Sequence, residues 1–174
     1  RRAASPRSTS ARWAPAAYLY DKPGRFLYLK DTDSGKFWSA TFQPVKKYDS
    51  YECRHGLGYT KIKSNFAGIR TEIAFFVPAD KQADVWLVKI TNDGKKTRRL
   101  KVFPFAEWLL GDWGAELHVR NLTVLMNEGK FDKGLKAILA SKFPWGNTPW
   151  PYYGFMGTSL KTDGFDIDYE NFIG

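Results

Sequence analysis

Tyr51-Glu52-Cys53-Arg54-His55-Gly56-Leu57-Gly58-Tyr59-Thr60-Lys61-Ile62 is the stretch on which the reading of this chain turns. Two glycines stand at its centre, and its density of chemical groups is unusual for an ordinary strand-loop-strand connection. Arg54, His55 and Lys61 supply hydrogen-bond donors. Tyr51 and Tyr59 offer flat apolar faces with a polar tip, and the glycines let a ligand approach the backbone closely. Arg54, His55 and Tyr59 are therefore candidate contacts for a polyhydroxylated or anionic ligand. The plainer alternative makes Gly56 and Gly58 turn residues and pairs Arg54 and His55 with nearby carboxylates.

From Phe26 the grammar is that of strands. Phe26 to Leu29 is short and apolar and ends at the turn Asp31-Thr32-Asp33-Ser34-Gly35. Lys36 to Phe42 alternates and stops before Pro44, and Ile69 to Val77 stops at Pro78. Val85 to Thr91 and Leu100 to Phe105 flank the turn signal Asn92-Asp93-Gly94 and predict a hairpin, with Lys95 to Arg99 at its solvated tip. His118 to Met126 and Leu135 to Ser141 predict a second pair, and Tyr152 to Ser159 a last strand. Only Glu107 to Leu117 suggests a helix, and Gly111 and Gly114 weaken it. Many short strands between turn signals predict an all-β fold, a large antiparallel two-sheet sandwich incomplete at both ends. Residues 1–17 read as an irregular arm, and 18–174 as one β-sandwich domain. Phe143 to Tyr153, crowded with Trp145, Trp150 and three prolines, reads as a rigid aromatic loop.

Composition limits the function classes. The 174 residues are 43% hydrophobic and 17% aromatic, with a net charge of +9. That length supports a real core. The charge permits an anionic partner, but the basic residues are interleaved with acidic ones outside two runs and no nucleic-acid motif is present, so nucleic acid is not the expected partner. Cys53 is the only cysteine. This excludes an intrachain disulfide and suits a reducing, cytoplasmic location. No apolar run approaches a membrane span, and the start has no signal-peptide pattern. The missing initial methionine and the absence of a closing pattern at Gly174 lead us to expect a piece of a longer protein. His55, His118 and Cys53 match no metal-binding spacing, so no metal or cofactor is expected.

Three blocks carry a family resemblance: Asp21-Lys22-Pro23-Gly24-Arg25-Phe26-Leu27-Tyr28-Leu29-Lys30-Asp31, Gly35-Lys36-Phe37-Trp38-Ser39 and the stretch from Tyr51 to Ile62. With Gln43-Pro44-Val45, Phe76-Val77-Pro78 and Arg120-Asn121-Leu122, they resemble the N-terminal domain of the cellobiose-phosphorylase family, glycoside hydrolase family 94. The resemblance covers Tyr18 to Thr123 best. It implies a supersandwich of the galactose-mutarotase type in a homodimeric, inverting phosphorylase that cleaves a β-linked gluco-oligosaccharide, with inorganic phosphate as co-substrate. It also implies that Arg120 helps hold the acceptor sugar, and that the catalytic aspartate sits in a helical barrel outside this chain. No catalytic residue is therefore expected here, and the chain alone should be inactive. A free-standing carbohydrate-binding sandwich, with Trp145 and Trp150 as platforms, is the alternative.

Overall fold

Strict alternation decides where the core lies. In Arg25–Asp31 (β1), Leu27, Leu29 and Asp31 are buried while the intervening Tyr28 and Lys30 are not. The two sides of a strand face opposite ways, so one side of β1 must meet another layer. The structure is a computed structural model that describes residues 24–45, 47–106, 108, 110, 127–143, 152–168 and 171–172. Its regular elements are strands apart from a helical turn at Asn171–Phe172. They form three antiparallel sheets, divided between two compact units, residues 1–107 and 108–174.

In the first unit β1 lies between Phe37–Ser39 (β2) and Leu100–Ala106 (β7). A four-stranded meander runs in the order Ser50–Gly56 (β3), Tyr59–Phe66 (β4), Ile69–Phe76 (β5) and Val85–Asn92 (β6). The two sheets share one core of Leu27, Leu29, Trp38, Ala40, Ile69 and Ile73, with Phe66, Phe75, Val88, Ile90, Leu100 and Val102 around it. Trp38, Leu29, Ile69 and Ile73 are each at most 2% exposed. Truncating Trp38 to alanine would cost about 3–5 kcal/mol, the range for emptying a large aromatic site.

One sequence expectation fails here. Val85 to Thr91 and Leu100 to Phe105 do not form a hairpin. β6 pairs with β5, and β7 pairs with β1 in the facing sheet. The chain crosses between layers through Asn92 to Arg99, so that run is a connection tied down by its own arginines. Arg98 donates from Nε to Asp31 Oδ2 at 2.9 Å and from Nη1 to the Ala67 carbonyl at 3.2 Å, with a further ion pair from Nη2 to Asp31. Arg99 donates to Asp33 Oδ1 at 2.8 Å. At the other end of β1, Arg25 pairs with Asp84, which leads into β6. Between these ends, Ser64 Oγ donates to the Ala40 carbonyl at 3.0 Å.

The second unit holds Asn127–Asp132 (β8), Ala137–Lys142 (β9) and Gly154–Gly157 (β10), in the order β10-β9-β8. The partner of β9 is thus β8, immediately after the stretch predicted from the sequence. His118 to Met126, Trp145, Trp150 and all of Glu107 to Leu117 except Trp108 and Leu110 lie outside the described residues, as do residues 1–17. One face of this sheet is covered. A Cβ on Gly154 would meet Trp108 Cε3 at 2.6 Å, one on Gly129 would meet Ile167 at 3.2 Å, and Phe131 stacks on Phe165 at 4.7 Å.

The Asp31 carboxylate makes the first unit acid-sensitive. The Ser34 hydroxyl, the Asp33 amide and Arg98 bind its charged form, and they outweigh burial to lower its pKa from 3.8 to about 2. The unfolded chain takes up that proton near 3.8 and the folded chain near 2. The stabilisation is therefore complete above the unfolded value and is lost as pH falls through the folded one. Urea melts across that window should show wild-type stability declining. Asp31→Asn should be less stable at pH 7 and show a shallower decline.

Candidate functional site

The stretch from Tyr51 to Ile62 folds into the β3–β4 hairpin. Gly56 pairs with Tyr59, leaving Leu57 and Gly58 as the turn. Gly58 adopts φ +82°, a left-handed conformation that glycine takes without steric cost. Gly56 has a different role. A Cβ there would lie 2.2 Å from Tyr59 Cζ, so the tyrosine ring lies across the glycine. Lys61 Nζ stands 5.2 Å from the centroid of the same ring, within cation–π reach.

Register then separates the candidates. Arg54 pairs with Lys61, while His55 pairs with Thr60 and Cys53 with Ile62. Neighbouring residues on a strand face opposite ways. Arg54, Tyr59 and Lys61 therefore occupy the outer side of the meander, and Cys53, His55 and Thr60 the side that carries the core further along. The two groups cannot grip one ligand through the sheet. Arg54 is bound by Glu52, as the plainer sequence reading has it. His55 does not meet a carboxylate. Its Nδ1 lies 3.0 Å from Thr60 Oγ1 and its Nε2 3.6 Å from Cys53 Sγ. Arg120 lies outside the described residues.

On the outer side, Tyr59 is 45% exposed. The next row of that face runs Glu52, Lys63, Glu72, Lys89 across four strands. Its charges alternate, and Lys63 and Glu72 lie 3.8 Å apart. Opposite charges side by side stabilise the sheet, and the Tyr59 ring is an exposed aromatic at the turn end of this face. No cluster of three or more metal-binding side chains occurs among the described residues.

The second unit offers a different arrangement, which sequence inspection missed. Glu128, Gly129, Lys130, Leu139, Ser141 and Tyr153 line a depression of about 320 Å³ on the open face of the β8–β10 sheet. Each residue is ordinary in its own sequence context, and only strand register brings them together.

Gly56→Ala should dislodge the Tyr59 ring. Because that ring is the exposed end of a side chain that can swing away, the melting temperature should change little while the ring's contact with Lys61 is lost. The check is the ring-current shift of the Lys61 methylenes by NMR.

Comparison with known proteins places the chain in a family. A family model described as "Glycosyl hydrolase 94, supersandwich domain" matches residues 5–174. Solabiose phosphorylase of Paenibacillus borealis is 29% identical over 157 residues, covering 90% of this chain and 20% of that protein. N,N'-diacetylchitobiose phosphorylase of Vibrio proteolyticus is 27% identical, covering 89% of this chain and 19% of that protein. The 3-O-beta-D-glucopyranosyl-beta-D-glucuronide phosphorylase of Paenibacillus borealis is 34% identical, covering 86% and 19%. The chain thus spans about a fifth of the length of these relatives. An all-β chain matched from residue 5 to residue 174 belongs to the glycosyl hydrolase 94 family, as its supersandwich domain.

Proposed function

We propose that this chain is the N-terminal sandwich domain of an inverting glucoside phosphorylase, a cytoplasmic homodimer. The observation that carries the reading is that relatives named for the phosphorolysis of three different sugars each align over most of the chain. In the parent reaction a phosphate oxygen attacks the anomeric carbon of a β-linked glucosyl unit from the opposite face. The glycosidic C–O bond breaks, an acid protonates the departing oxygen, and α-glucose 1-phosphate and a shortened sugar result. The acid and the phosphate pocket belong to the part of the protein beyond this domain. The domain's share is support of the fold, dimer contact and part of the acceptor site, with Arg120 as the acceptor-side residue and Arg54, His55 and Tyr59 as further candidates.

An arginine suits that task because its planar fork of donors matches vicinal hydroxyls. His55 is held by Thr60 and Cys53, so it serves better as an oriented donor or acceptor than as a proton carrier. Arg54 would have to leave Glu52 to reach a sugar, which makes it the weakest of the four.

Two measurements test the proposal. Expressed alone, the 174-residue chain should release no glucose 1-phosphate from cellobiose or laminaribiose with phosphate, and any turnover above blank contradicts it. In a chimaera in which this chain replaces the matching residues of the glucuronide phosphorylase, phosphorolysis should persist. There, Arg120→Ala should raise the acceptor KM in the synthetic direction by about ten- to a hundredfold, the effect of losing one charged hydrogen bond, with the phosphate KM little changed. An unchanged acceptor KM at a normal melting temperature would rule out direct contact. If the chain alone binds sugar and the chimaera is inert, the free-standing binding module is the better description.

A further inference from the structure

The open face of the second unit's sheet carries two aligned rows. Glu128 pairs with Ser141, and Lys130 with Leu139, which pairs in turn with Phe155. Tyr153 precedes Gly154, the partner of Ala140, and so extends the Glu128–Ser141 row. One row reads carboxylate, hydroxyl, phenol; the other reads ammonium, aliphatic, phenyl. Tyr153 and Phe155 are 63% and 56% exposed. Lys130 Nζ lies 6.0 Å from the Tyr153 ring centroid.

The reverse face does not share this character, since Trp108, Leu110, Phe165 and Ile167 close over its glycines and Phe131. The asymmetry matters. On the open face two large aromatic rings stand beside hydrogen-bonding groups of both signs.

We infer that this grid is a sugar subsite for a neutral β-glucoside. A pyranose has an apolar C–H side and a rim of hydroxyls. Tyr153 and Phe155 match the first, since aromatic faces bury apolar area at low entropic cost. Glu128 accepts hydrogen bonds, Lys130 donates them and Ser141 does both. One carboxylate beside one ammonium leaves the grid without net charge, which favours a neutral polyol over a phosphate or a uronate. The depression opens onto solvent along the sheet, so it takes a sugar unit of a longer chain. The inference rests on the reading that the parent protein handles β-gluco-oligosaccharides.

The test uses the 174-residue chain with cellotetraose as probe, followed by titration calorimetry and by amide shift changes in the NMR spectrum. Wild-type chain should bind in the millimolar range, with shift changes centred on Gly129, Ser141 and Tyr153. Tyr153→Ala should weaken binding about tenfold or more, the scale of losing one aromatic platform, and Tyr153→Phe should restore most of it. Glu128→Gln should weaken it several-fold, and Leu87→Ala, at an exposed position of β6 in the first unit, should leave it unchanged. Shift changes centred elsewhere overturn the subsite, as does the absence of binding at tens of millimolar. So does undiminished binding by a folded Tyr153→Ala, Phe155→Ala double variant. An inert chimaera with the NMR footprint intact would sink the phosphorylase reading and leave this subsite standing.

Discussion

Arg98 holds the first unit's two sheets in their relationship. It reaches Asp31 at the end of β1 and the carbonyl of Ala67 at the β4–β5 turn, so a single guanidinium binds both layers at the point where the chain passes between them. A buried ion pair is not by itself a strong source of stability, because removing both charges from water offsets much of their attraction. Here the Asp31 oxygens are also bound by Ser34 and by the Asp33 amide, which offsets the desolvation. What the arrangement contributes most clearly is specificity. A hairpin that returned β7 beside β6 would carry Arg98 at its tip and leave Asp31 with Ser34 and the Asp33 amide alone. Ala67 adds a local constraint, because it sits at φ +51°, a conformation costly for a residue with a Cβ, and its carbonyl is the one Arg98 requires.

Much of the fold was legible from sequence because it rests on local patterns. A short apolar run before a turn signal marked β1, the first part of Lys36 to Phe42 marked β2, and the glycine pair at Gly56 and Gly58 offered the β3–β4 turn as the plainer of two readings. The pairing of Val85–Asn92 with Leu100–Ala106 was misread for a physical reason. Asn92-Asp93-Gly94 has the composition of a hairpin turn, and Asn92 Oδ1 does accept from the Gly94 amide at 3.1 Å. Nothing local shows that the next two arginines have partners more than sixty residues earlier, at Asp31 and Asp33. Long-range ion pairs leave no period in a sequence.

The candidate site was legible to a smaller degree. Arg54, His55 and Tyr59 look like one cluster when read along the chain, yet alternation sends His55 to the opposite side of the sheet from the other two. Tyr59 lying over Gly56 could have been anticipated from a two-residue turn between an aromatic and a glycine. The Glu128, Lys130, Ser141, Tyr153 and Phe155 grid could not, since it exists only once β8, β9 and β10 are in register. Sites built across strands are the usual blind spot of linear inspection, whereas sites on a single turn are visible.

The crossing between sheets also fixes an order of assembly. β3 to β6 are a meander in which each strand meets the next one made, so their contacts close short loops. β1 finds β7 only after the whole meander has emerged, with Arg25 opposite Ala106 and Asp31 opposite Leu100. Contacts distant in sequence form more slowly than local ones. During synthesis, β1 and β2 are made before the meander, so Leu27 and Leu29 have Ile69 and Ile73 to pack on before β7 exists, while one edge of β1 stays unpaired. An open edge is a template for pairing with another chain, and the arrival of β7, which brings Arg98 to Asp31, closes it.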